Sequence, residues 1–117
     1  MKENIIVSKS FGFALRILKL SDHLNSKREF VISKQLIRSG TSIGANIRES
    51  QYAESRKDFI HKMSISLKEA NETKYWLDLI HAGDIITEKL YWSFAKDCDE
   101  ILKLLTAILN SSKQRVS

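Results

Sequence analysis

Not one proline interrupts the 117 residues of this chain. Proline removes a backbone donor and clashes with the preceding turn, at about 3 kcal/mol in a helix interior. Its absence leaves the chain free to run in long helices. Only four glycines oppose that, two of them inside one short motif. An all-α protein is therefore the expected fold class.

Capping chemistry and polar stretches divide the chain into four helices. The first spans about 4–24 and ends at Asn25-Ser26-Lys27-Arg28-Glu29. The second runs from about Val31 or Ser33 to Ala53. The third opens at Ser55, where S-R-K-D matches a capping box with Asp58 reaching back. It stops near Ala82, with Gly83 as the expected left-handed terminator. Thr87 caps the fourth helix, with Glu88 in its first turn where the helix dipole favours a negative charge. That helix runs to about Asn110, leaving SSKQRVS as a frayed tail. Four such rods joined by short loops predict one domain over 1–117, an up-down-up-down bundle.

Placed at 100° per residue, the first helix carries two apolar stripes. One is Val7, Phe11, Ala14, Leu15 and Leu18. The other is Phe13, Ile17, Leu20 and Leu24. The third helix has Phe59, Met63, Leu67, Ala70 and Leu77 on one side and Ile65, Trp76, Leu79 and Ile80 on another. The fourth carries Leu90, Phe94, Cys98, Ile101, Leu105 and Ile108. A four-helix monomer needs one apolar face per helix, and surplus exposed apolar surface marks an interface. The expectation is a homo-oligomer, with Phe13, Ile17, Leu20, Leu24, Ile65 and Trp76 as contacts between copies.

The stretch Arg38-Ser39-Gly40-Thr41-Ser42-Ile43-Gly44-Ala45-Asn46-Ile47 puts two glycines four apart on one helix face. Glycine costs about 1 kcal/mol against alanine there, a cost that close helix contact can offset. Ile43 and Ile47 supply apolar anchors. A phosphate-cradling loop would need a preceding strand and a Lys-Ser/Thr pair after the last glycine, and both are missing. Arg38, Asn46, Glu49, Glu69 and Glu72 are expected to form a polar network in which Arg38 or Asn46 satisfies Glu49 or Glu72, because buried charges persist only when paired.

Charge is uneven along the chain. Residues 1–57 carry a net +6 and residues 58–117 a net −1. Lys2, Lys9, Arg16, Lys19, His23 and Lys27 share an arc of the first helix, with Arg28 and Lys34 beyond its end. A basic row on a rod matches the repeat of a nucleic-acid backbone. The expected phosphate contacts are Lys9, Arg16, Lys19 and Lys27, then Arg28 and Lys34. Base-reading modules are missing, so recognition by charge and shape is expected.

Catalysis and metal chemistry have little to stand on. Asp78-x-x-His81 is the nearest approach to the Glu-x-x-His pairs of di-metal bundles, and it occurs once. No metal site, no cofactor and no enzymatic activity are expected. Cys98 reads as a small buried hydrophobe. One cysteine, no cleavable leader and no long apolar run point to a cytoplasmic protein.

Three segments carry a family resemblance: KSFGFA from Lys9, QLIRSGTSIGANIRES from Gln35 and DFIHKMSISLKEANETKYWL from Asp58. They resemble the bacterial four-helix-bundle proteins encoded in intervening sequences of 23S rRNA genes, and through them the accessory variability proteins of diversity-generating retroelements. The resemblance implies a ring-shaped homopentamer. It also implies a nucleic-acid partner such as structured RNA, or a protein partner such as a reverse transcriptase.

Overall fold

The computed structural model describes the backbone of residues 2–116 and the side chains of residues 5–114. Lys2 of the expected basic row lies outside the described side chains. Four helices follow in order: α1 Lys2–Ser26, α2 Phe30–Ser50, α3 Arg56–Ala82 and α4 Glu88–Val116. They form a rod with extents of 47 × 21 × 20 Å. Each helix packs on its chain neighbours, α1 closes on α4, and the diagonal pairs make no close backbone approach. That is the up-down-up-down arrangement short loops favour. The α1–α4 seam is the sparsest of the four.

The helix ends follow local chemistry. Ser55 Oγ accepts from the Asp58 N–H at 3.1 Å, and the Asp58 carboxylate accepts from the Glu54 N–H at 3.2 Å. Thr87 Oγ1 accepts from the Leu90 N–H at 3.2 Å. The stop of α3 differs from the expected one. Gly83 has φ −83° and is not left-handed; Asp84 is, at φ 59°. The Ile85 N–H reaches the Ile80 carbonyl at 2.8 Å, the six-to-one bond that places the left-handed residue one position later. The end of α1 repeats the pattern: Arg28 has φ 63° and the Glu29 N–H bonds the Leu24 carbonyl at 2.9 Å. Nor does α4 stop at Asn110. It continues to Val116, with Ser112 buried.

The core reverses the expected roles of the two α1 stripes. Phe13, Ile17, Leu20 and Leu24 are at most 3% exposed and fill the chain's own interior. Ile80 joins them, fully buried. These side chains are thus core, not contacts between copies, because their direction points them between α2 and α4. The other stripe faces out: Phe11, Leu15 and Leu18 are 53%, 48% and 47% exposed. Ile65 and Trp76 are half-buried. On α2, Leu36, Ile43 and Ile47 are fully buried, and Phe94, Cys98, Ile101, Leu105 and Ile108 form the α4 face.

Small side chains let the helices approach. A Cβ on Gly40 would lie 2.8 Å from the Ile17 side chain, and one on Gly44 would lie 3.4 Å from the Ser10 carbonyl oxygen. Buried hydroxyls tie the same seams. Ser21 and Ser33 Oγ are 2.5 Å apart between α1 and α2, Thr73 donates to Ser39 at 2.9 Å, and Ser66 donates to the Ile43 carbonyl at 2.9 Å. Each donor meets an acceptor, so burial costs these groups little.

Candidate nucleic-acid interface

The α1–α4 seam carries the first half of the expected basic row. Lys9 Nζ lies 2.9 Å from Glu100 Oε2. That contact holds the Glu100 carboxyl below its ordinary value and raises the Lys9 ammonium above its own, through the hydrogen bond and then the opposite charge. Arg16 is engaged more fully. Its Nη1 donates to Asp97 Oδ2 at 2.5 Å and to the Ser93 carbonyl at 3.2 Å. Its Nη2 donates to Ser93 Oγ at 2.7 Å, and the guanidinium carbon sits 4.1 Å over the centre of the Phe94 ring. Lys9 and Arg16 are therefore paired with α4 carboxylates, so a phosphate would have to compete with Glu100 and Asp97 for them.

The second half is different. Lys19, Lys27, Arg28 and Lys34 are exposed and make no ion pair among the described residues. All four belong to one end of the bundle, where α1 stops and α2 starts. Lys27 shares a hollow with Asp84 and Glu88, so its field is partly offset. Of the expected phosphate contacts, Lys19, Arg28 and Lys34 are thus the ones without a carboxylate partner, although Asp22 and Glu29 lie on the same end.

Above this end, an open cleft of about 490 Å³ separates α1 from α4. Leu20, Leu90 and Phe94 give it an apolar lining, and Arg16, Lys19 and His23 stand at its sides. No carboxylate lines it.

The Ser39–Ile47 motif serves packing. Gly40, Gly44, Ile43 and Ile47 hold α1 and α3 against α2, and Ser42 Oγ returns to the Arg38 carbonyl at 2.5 Å. The polar network is smaller and wetter than expected. Arg38 pairs with Glu72 and, at 3.4 Å, with Glu69, while Trp76 Nε1 donates to Glu72 at 2.9 Å. Glu49 pairs instead with Lys62 at 3.3 Å, and Asn46 bonds only the Ser42 carbonyl on its own helix at 2.9 Å. Arg38 is half exposed, so this is a surface bridge from α2 to α3 and not a buried cluster.

Sequence reasoning missed the hydrogen-bonded pair of Tyr91 OH and Asp78 Oδ1 at 2.5 Å, and the His81 ring stacked 4.0 Å from Tyr91. The i, i+3 spacing of Asp78 and His81 was the available signal for it. Among the described residues no three His, Cys, Asp or Glu side chains gather where a metal could sit. Burial pushes the Cys98 thiol up to about 12, with Asp99 adding to the effect. No described helix is long and apolar enough to cross a membrane.

Together these features define the class: a small antiparallel four-helix bundle, sewn by glycines and hydroxyls along α2. Within that class, the chain belongs to the 23S rRNA-intervening sequence protein family, which matches residues 2–107. It is similar to a crystallographically determined protein of unknown function from the S23 ribosomal protein family of Bacteroides thetaiotaomicron. Identity is 54%, the match covers 94% of this chain and 99% of that one, and the TM-score is 0.92. No curated protein matches the chain.

Proposed function

We propose that this chain is a non-catalytic, cytoplasmic, self-assembling protein that binds RNA by charge and shape. The observation that carries the reading is the group of unpaired cations Lys19, Arg28 and Lys34 at one end of a bundle whose other described α1 cations, Lys9 and Arg16, are already engaged. Cations without protein partners release the counterions of a phosphate backbone on binding. The name of the family makes structured RNA the first ligand to try.

Assembly is proposed through the outward stripe of α1. Phe11, Leu15 and Leu18 are each about half exposed, and Gly12 beside them has nothing within 4 Å of where its Cβ would lie. A mid-helix glycine that serves no contact inside the chain suits close approach by another copy. A ring of five, which the sequence resemblance implies, would repeat these unpaired cations and turn modest attraction into avidity.

The test is titration of a short hairpin RNA from about 50 to about 200 mM salt. Affinity is expected to fall steeply, with a log–log slope of roughly −2 to −3 for three phosphate contacts per chain. Lys19→Glu combined with Lys34→Glu is expected to abolish binding. Salt-independent binding, or none, removes the reading. A second reading is a scaffold that recruits a protein such as a reverse transcriptase, favoured by the exposed Tyr75, Leu79 and Trp92 on α3 and α4. It predicts capture of a protein by a chain indifferent to RNA.

A further inference from the structure

Resting on the RNA-binding reading, we infer that the α1–α4 cleft is a slot for one unpaired base of the bound strand, with the Arg16 guanidinium as its stacking surface. The cleft is large enough for an inserted group, at about 490 Å³, within the range of small-molecule sites. Its lining suits a planar ring: Leu90, with the edges of the largely buried Leu20 and Phe94, supplies apolar surface, and the Asp97 carboxylate beside the cleft is paired with Arg16.

Arg16 decides the geometry. One face of its guanidinium lies on the Phe94 ring at 4.1 Å, and its edge is tied to Asp97 and Ser93. Its side chain is still 34% exposed and lines the cleft. The part of this fixed, planar cation that stays exposed is what the slot offers a base. Bases stack on such planes, and every base has a face to offer. The ordering cost of the arginine is met inside the fold, so little conformational freedom is lost when a base arrives. Lys19 and His23 stand at the mouth, where the sugar-phosphate of a splayed nucleotide would leave the slot. Pairing with Asp97 removes Arg16 from the set of phosphate clamps and fixes it as a platform.

The consequence is a preference for looped, bulged or single-stranded RNA over a plain duplex. The experiment compares a short single-stranded RNA containing one 2-aminopurine with its fully paired duplex, using the full chain at fixed salt. The unaltered protein is expected to bind the single strand more tightly and to change the 2-aminopurine fluorescence. Arg16→Lys keeps the charge and the reach to Asp97 but removes the plane. It is expected to weaken single-strand binding on the order of tenfold, leaving duplex binding unchanged. Leu90→Arg fills the slot while adding positive charge, so it is expected to lower single-strand affinity and leave duplex affinity equal or higher. Thermal melting confirms that each variant is folded, and the two changes act on different helices. Equal affinity for both RNAs in the unaltered protein overturns the slot and leaves the phosphate reading standing. So does a single-strand preference that survives Leu90→Arg. Failure to bind either RNA overturns both.

Discussion

At the scale of single residues, two backbone positions give opposite results on substitution. Gly40 lies against Ile17, fully buried and branched at Cβ. Alanine there gains helix propensity, but its methyl group would meet Ile17 at 2.8 Å. Core overpacking outweighs the gain, and Gly40→Ala is expected to lower stability by about 1–3 kcal/mol in denaturant unfolding. Arg28 is the reverse case. It holds φ 63°, where an L side chain is strained. Arg28→Gly relieves that strain and should raise stability by about 0.5–1 kcal/mol, a melting shift of a few degrees. The same variant removes a candidate phosphate contact without harming the fold. The packing role of Gly40 was legible because spacing of four puts two glycines on one face. The left-handed residues were not: Arg28 does not advertise positive φ, the aspartate tolerance of it at Asp84 stood beside the stronger glycine signal of Gly83, and the six-to-one bond depends on where the next helix must begin.

At the scale of helices, sequence sufficed where the partner is local and failed where it is remote. Ser55 and Thr87 cap as expected because their acceptors and donors lie three residues apart. Which α1 stripe is buried depends on the positions of α2 and α4, and two stripes of similar apolarity carry no label for that. Lys9 and Arg16 meet carboxylates 91 and 81 residues away, and no local pattern reveals such pairings. Their presence gives the α1–α4 seam a pH signature. Glu100, lowered from 4.5, contributes stability above that value and loses it as pH falls through its folded value. Lys9, raised from 10.5, contributes below that value and loses it as pH rises through its own. Lys9→Ala is therefore expected to melt slightly below the unaltered protein at neutral pH and to match it once pH falls below the folded value of Glu100. The gap should shrink in high salt, as for any exposed pair.

At the scale of the whole molecule, the exposed surface sorts by chemistry. The outer face of α1 is apolar, Lys19, Arg28 and Lys34 lie unpaired toward one bundle end, and the two are compatible with simultaneous use. Leu15→Glu with Leu18→Lys is expected to leave helicity and melting nearly intact, because both side chains are about half exposed. The same double variant should shift sedimentation at micromolar concentration toward the 13.5 kDa chain. An unaltered chain that already sediments at that mass would assign the α1 stripe some other occupant. Surplus apolar surface was readable from periodicity; its location was not, because direction is a property of the assembled bundle.

The connectivity of the rod has a consequence for its synthesis. The first and last helices are neighbours, so a growing chain that has completed three helices still leaves Phe13 and Leu20 wet on one flank. Only α4, which emerges from the ribosome after the other three helices, can shut that flank, and until it does the nascent protein displays a greasy trough to whatever is nearby. A chaperone, or a sister chain on the same messenger, would meet that trough before α4 does.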